Sequence, residues 1–355
     1  MEENRYAPPY DDNIKEEIEK YKLISAKKAF SRTLLSASLY LIIPGALVYA
    51  VQIILLLTLG PEGTKSLTEN IYYVWAMQVV AMYVTAFPLA YLVLKKLPRA
   101  KRTGSRMSLE EFITSFFIAE GVMIVGAIIS NFIVALFSSL LGYEINNVTS
   151  DVIMASPIPI VILVAVIIGP IFEELMFRKL MIDRLSVYGD KFAVIVSAVS
   201  FGLFHGNLSQ IIYAAGIGFV LGYVYVKTQN VTYSMFLHIL LNFFGTVPAL
   251  LSAKSQEKIA HILESLEVSA ADILSNFKDY NIVLSATVIQ YSFAIIGLVM
   301  LGYVIKVGLI KPRSECDVYI EKSKLTGAIL KAPGTILFLL LCVAEVIMSM
   351  LPNTI

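Results

Sequence analysis

The sequence predicts an all-α, polytopic transmembrane bundle of about nine spans. Three observations predict it. Hydrophobic residues fill 57% of the 355 positions, and the mean hydropathy is +0.75. Charged residues contribute only 15%, against about 25% in a soluble globular chain. Apolar runs long enough to cross a bilayer recur along the whole length, and a run of about 20 such residues spans as a helix. Helices suit lipid because they satisfy their own backbone hydrogen bonds. A net charge of +1 gives no basis for nucleic-acid binding.

In chain order, residues 1–30 read as a polar N-terminal tail, with a helical charge pattern over 14–28. The tail has no early apolar region of the signal-peptide kind, so the first span is expected to serve as its own insertion signal. Spans are expected at 34–59, 71–94, 112–141, 152–185, 191–206, 208–227, 231–252, 283–305 and 333–351. They divide into N-terminal transmembrane helices (31–150), a transmembrane core (151–252) that holds ionisable residues, an amphipathic surface loop (253–282) and C-terminal transmembrane helices (283–355). The fourth run exceeds what a bilayer needs. The fifth and sixth are separated only by the polar hinge His205-Gly206-Asn207-Leu208-Ser209. Pro170 removes a backbone donor and is expected to kink the fourth helix. Gly216, Gly218 and Gly222 read as helix-packing positions. Cys316 and Cys342 lie in different settings, one charged and one apolar, and predict neither a disulfide nor a metal site.

Orientation follows from the basic residues of short loops. Lys95, Lys96, Arg99, Lys101, Arg102 and Arg106 fill the second connection, whereas 142–151 holds no Lys or Arg. This pattern predicts an integral, multi-pass membrane protein with a cytoplasmic N-terminus, in the plasma membrane if the cell is prokaryotic.

Ionisable residues within spans are costly and point to function. Glu173 and Glu174 end an apolar run. Neighbouring helical positions diverge by about 100°, so the two carboxylates serve different surroundings. Glu174 and Arg178 are four apart and favourably ordered for an ion pair, which leaves Glu173 the freer acid. Two of the three histidines lie in apolar segments. His205 shares a face with Phe201, and His238 shares one with Asn242. Counting from a turn near 187–191, Glu173 and His205 each sit about 22 Å along their helices, level with each other. His238 falls short of that depth unless helices tilt. His261, in the surface loop, is not expected to be catalytic.

Taken together, Glu173-Glu174-x-x-x-Arg178, Phe201-x-x-x-His205 and His238-x-x-x-Asn242 resemble the three-motif signature of the CAAX-protease and bacteriocin-processing family. This family is also called Abi; its members are intramembrane endopeptidases and include the type II CAAX prenyl proteases. The resemblance covers roughly 150–250. It implies that Glu173 activates water with help from His205. His238 and Asn242 would stabilise the oxyanion, while Glu174 and Arg178 hold the site together. It further implies a peptide or protein substrate, with lipidated tails among the classes, alongside membrane lipids. A metal-free mechanism is favoured because Asn242 is a poor zinc ligand. Zinc on Glu173, His205 and His238 is the alternative. Two other functions fit the same residues: a transporter or proton/ion pathway using the intramembrane Glu and His, and a non-catalytic immunity or scaffold protein that retains the fold.

Overall fold

The computed structural model describes residues 12–263, 269–307 and 315–352, and among these it contains helices and no strand. We number twelve helical elements: α1 Asp12–Thr68, α2 Ile71–Leu94, α3 Leu109–Leu141, α4 Val148–Ala155, α5 Ile158–Tyr188, α6 Asp190–Phe204, α7 Leu208–Thr228, α8 Val231–Leu263, α9 Ala270–Ser275, α10 Phe277–Val307, α11 Lys322–Leu330 and α12 Pro333–Met350. Eight of them, among the described residues, are long and apolar enough to cross a membrane: α1, α2, α3, α5, α7, α8, α10 and α12. The protein is a multi-pass helical membrane bundle.

The segment expected as the fifth span is α6, of 15 residues. At 1.5 Å per residue it is about 22 Å long, short of the ~30 Å hydrocarbon core. Gly206, at φ 65°, turns the chain straight back into α7. The left-handed backbone there suits glycine. Gly218 then lies over Ala198 and Gly222 over Val194, so α6 and α7 form a close antiparallel hairpin. Its tip, His205 to Asn207, is thereby set inside the bundle.

Two expectations change at the ends of helices. The stretch 12–30 is the first part of α1, continuous with the first span, and it buries Ala26, Ala29 and Phe30. Within 253–282, α8 continues to Leu263 and α10 begins at Phe277, with the short α9 ahead of it. These ends are pinned where Asp279 accepts from Ser255 at 2.9 Å and pairs with Lys258 at 3.6 Å. The loop is therefore largely helix extension rather than a separate surface helix. Residues 264–268, including Leu266, and the side chain of His261 lie outside the described residues. At Pro170 the helix is not interrupted: α5 runs through it with wide turns, in which Gly169 donates five residues back to Val164.

Packing places α5 between two sets of helices. On one side, α1, α2, α6 and α12 contribute Phe30, Tyr40, Ala90, Phe204 and Phe338 to a cluster that includes Met176 and Phe177 of α5. A second cluster joins α3, α7 and α8 through Phe116, Leu221, Leu237 and Leu241. The third, with Trp75, Tyr83, Val161, Val164 and Leu250, closes the other end of α5. Trp75 fixes that end by donating to the Ser156 hydroxyl at 2.8 Å.

Candidate active site

The middle of α5 presents Glu173, Glu174 and Arg178. Glu174 and Arg178 are both sealed from solvent, and Arg178 Nε lies 3.3 Å from Glu174 Oε2. The guanidinium carbon sits 4.4 Å above the ring centre of Phe201, a cation–π contact in a dry setting. Glu174's other oxygen accepts from His238 Nδ1 at 3.0 Å. The far side of the same imidazole, Nε2, lies 3.7 Å from Glu173 Oε2. The result is one chain of contacts: Arg178, Glu174, His238, Glu173. Isolated charges would cost several kcal/mol each to bury; here every buried charge has an opposite neighbour. Glu173 alone opens outward, with 16% of its side chain exposed against 4% or less for the others.

The depth argument left His238 short of the site. The structure places it between the two glutamates, because α8 packs directly against α5. His205 joins from the hairpin tip. Its Nδ1 lies 2.8 Å from the Phe201 carbonyl oxygen. A carbonyl only accepts, so Nδ1 carries the proton and a neutral ring keeps its lone pair on Nε2. Phe201 sets the spacing of the two imidazoles. Its ring meets His205 edge-on at 4.8 Å and His238 edge-on at 5.6 Å. Glu173 lies within electrostatic reach of His205.

Asn242 is engaged differently. Its Nδ2 donates to the Ala165 carbonyl of α5 at 3.0 Å. Gly169 bonds five residues back to Val164, so the next residue in that register would bond to Ala165. That residue is Pro170, which has no N–H. Asn242 supplies the missing donor and ties α8 to α5 one turn from His238. The carbonyl also fixes which end of the amide is nitrogen.

Glu173, Glu174, Arg178 and His238 are thus in direct sequence, His205 joins through Phe201, and Asn242 braces the backbone beside them. Among the described residues, no group of three or more His, Cys, Asp or Glu is arranged to hold a metal ion. His238 is already committed through Nδ1 to Glu174. Cys316 and Cys342 are free thiols.

Sequence reasoning missed three residues beside the site. Glu345, a carboxylate within the last apolar span, packs against the hinge, its Cβ 3.1 Å from where a Cβ on Gly206 would be. A charge in an apolar run was the signal that identified Glu173, and it applied equally here. Tyr40 and Tyr83 come from α1 and α2, and both lie within electrostatic reach of Glu173. Tyrosines are common in this chain, 19 in all, so nothing in the sequence singled out these two. A separate groove of about 1010 Å³ opens between α3, α7 and α10, beside Ile118, Val122, Phe219 and Met300. None of the six motif residues lines it.

Residues 155–244 match the family model described as type II CAAX prenyl endopeptidase Rce1-like. Over 203 residues the chain is 26% identical to the "Putative membrane peptidase YdiL" of Bacillus subtilis strain 168, covering 56% of this chain and 81% of the relative. Over 125 residues it is 30% identical to the "Membrane-embedded CAAX protease MroQ" of Staphylococcus aureus strain USA300, covering 33% of this chain and 51% of that one. No solved structure matches. The matched segment holds all six motif residues and excludes Tyr40, Tyr83 and Glu345.

Proposed function

We propose that the chain is a membrane peptidase of the Rce1-like CAAX protease kind that residues 155–244 match, and that it cleaves a peptide bond within the membrane using water activated by Glu173 and His205. One observation carries this reading. Of the linked set Arg178, Glu174, His238 and Glu173, only Glu173 reaches open space, and the rest of the chain fixes its neighbour His238 in place.

The roles follow from the contacts. Arg178 neutralises Glu174. Glu174 takes the Nδ1 proton of His238 in a hydrogen bond and so aims Nε2 toward Glu173, as a carboxylate orients a catalytic imidazole. His205 Nε2 and the Glu173 carboxylate both accept, so a water between them has its two protons held. Glu173 removes one proton as the water oxygen bonds to the peptide carbon. The carbonyl π electrons move to oxygen, making an oxyanion. On collapse the C–N bond breaks, and the leaving amine takes the proton from Glu173. General base catalysis of this kind contributes about 10²–10⁴-fold. In its doubly protonated form, with Nδ1–H held by Glu174, His238 donates Nε2–H to the oxyanion. Asn242 contributes its second amide proton, the first being held by Ala165.

The substrate is a small or lipidated peptide or protein, the class supported by the family match. No metal takes part in this scheme. The N-terminus lies in the cytoplasm, a reading supported by the basic residues between α2 and α3. Purified protein in detergent is expected to cut a reporter peptide, and to do so after exhaustive chelation with no zinc by elemental analysis. Loss of cleavage on chelation, restored by zinc, would replace the metal-free scheme. Glu173-dependent ion flux in liposomes without cleavage of any peptide would favour a transport role.

A further inference from the structure

Stabilising the oxyanion is commonly the largest single contribution to acyl-transfer catalysis, and it needs donors free to point at it. Here one Asn242 N–H is spent on Ala165, and His238 is held between two carboxylates. The site therefore has fewer free donors than the motif residues suggest. Unspent hydroxyl groups come from outside the matched segment.

Tyr83 and Tyr40 each sit beside a motif residue. The Tyr83 ring stacks at 4.7 Å on Phe172, the residue before Glu173. The Tyr40 ring stacks at 5.1 Å on Phe204, the residue before His205. Gly169 lies one turn before Glu173 on the same helical face. A Cβ there would come 3.3 Å from the Tyr83 hydroxyl oxygen, so glycine leaves the space that the hydroxyl occupies. Tyr40 is fully buried, and its hydroxyl has no hydrogen-bond partner among the described residues. Nor does the Tyr83 hydroxyl bond to any described residue. Both lie within electrostatic reach of Glu173, and Tyr40 also of Tyr83. A buried hydroxyl without a partner costs about 1–3 kcal/mol; this applies to Tyr40, whereas the unbonded Tyr83 hydroxyl is not sealed from its surroundings and is open to a ligand supplied from outside the chain. The helices that carry them are joined at this level, since Ser36 of α1 donates to the Ala90 carbonyl of α2 at 2.9 Å.

We propose that the Tyr83 hydroxyl donates a hydrogen bond to the oxyanion formed at the scissile carbonyl, with Tyr40 as the positioning residue behind it. The inference rests on the peptidase reading above. Tyr83 keeps its proton throughout: water loses one proton to Glu173, the leaving amine receives it, and Tyr83 only shares its own. The first two spans, which lie outside the family match, thereby complete the catalytic cavity instead of merely enclosing it.

The test is steady-state cleavage of one reporter peptide by wild type, Tyr83→Phe, Tyr40→Phe and Glu173→Gln in the same detergent. Phenylalanine removes the hydroxyl and keeps the ring stacks. Tyr83→Phe is expected to lower kcat by about 100-fold, the usual loss for one oxyanion donor, with KM within about twofold. Tyr40→Phe is expected to lower kcat about fivefold, also at constant KM, and both variants are expected to keep or exceed the wild-type unfolding midpoint. If Tyr83→Phe turns over at the wild-type rate while Glu173→Gln is dead, the tyrosine proposal is wrong and the peptidase reading survives. A Tyr83→Phe loss that appears only in KM or in the midpoint also overturns it. Wild-type turnover by Glu173→Gln overturns both.

Discussion

Two charged clusters in this molecule use the same residue types and do different things. The first is the chain Arg178, Glu174, His238, Glu173 within the bundle. The second lies at the basic end, where Arg102 reaches Asp190 at 3.5 Å, Glu315 at 3.6 Å and Asp317 at 2.6 Å. Arg102 also donates to the Ser186 carbonyl at 3.0 Å, and so ties the α2–α3 connection to the end of α5. The second cluster has three acids around one base, yet Glu315 and Asp317 are 59% and 44% exposed. Arg102 and Asp190 are themselves buried, at 6% and 0%, but water shares the charges of the two outer acids. In the first cluster nothing but Glu173 touches open space, so each side chain has one available arrangement. A buried chain that runs through an imidazole aims it, whereas a buried pair whose outer partners are exposed is a fastening.

Breaking each cluster in turn should expose this difference. Arg178→Met strands the Glu174 charge in a dry setting and is expected to cost about 3–5 kcal/mol. Thermal unfolding in detergent reads this, and adding Glu174→Gln should recover part of the loss. An unchanged midpoint for Arg178→Met would show that the pair is not a structural element. Gly206→Ala forces a side chain into the left-handed region and against Glu345. It is expected to cost about 1–2 kcal/mol and to reduce turnover by moving His205, whereas retained activity and midpoint would mean the hinge geometry is unimportant. Asp317→Asn, which removes the exposed partner 2.6 Å from Arg102, is expected to cost about 1 kcal/mol or less, as for partly exposed pairs, with turnover unchanged. High salt should shrink the Asp317 effect and leave the Arg178 effect intact. Equal salt sensitivity of the two would contradict the contrast drawn between them.

The helical membrane class was legible because spanning runs are a matter of composition. Burial within the bundle was not. The most apolar windows of α1 and α5 look alike in sequence, yet 0% of one and 44% of the other are buried. Hydrophobicity drives both into lipid, and only packing decides which becomes central. The Glu174–Arg178 contact was legible because it is local, set by four-residue spacing on one helix. The position of His238 was not, since it depends on how α8 leans against α5. Likewise the short α6 hid inside a run of the right apolar length, because the decisive feature is the turn at Gly206. The Asn242 contact with Ala165 follows from Pro170, but only once the wide-turn register of α5 is seen. Tyr40 and Tyr83 gave no local signal at all: what marks them is the company they keep across three helices.

The central claim is that the outward-facing end of the buried chain, Glu173, is the base. Single-substitution kinetics test it most directly, comparing Glu173→Gln with wild type on one reporter peptide at matched folding. Glutamine keeps the size and the hydrogen-bonding capacity but cannot take up a proton. The account predicts a fall in kcat of at least about 100-fold, with the unfolding midpoint preserved. A Glu173→Gln enzyme that turns over within about twofold of wild type would contradict it.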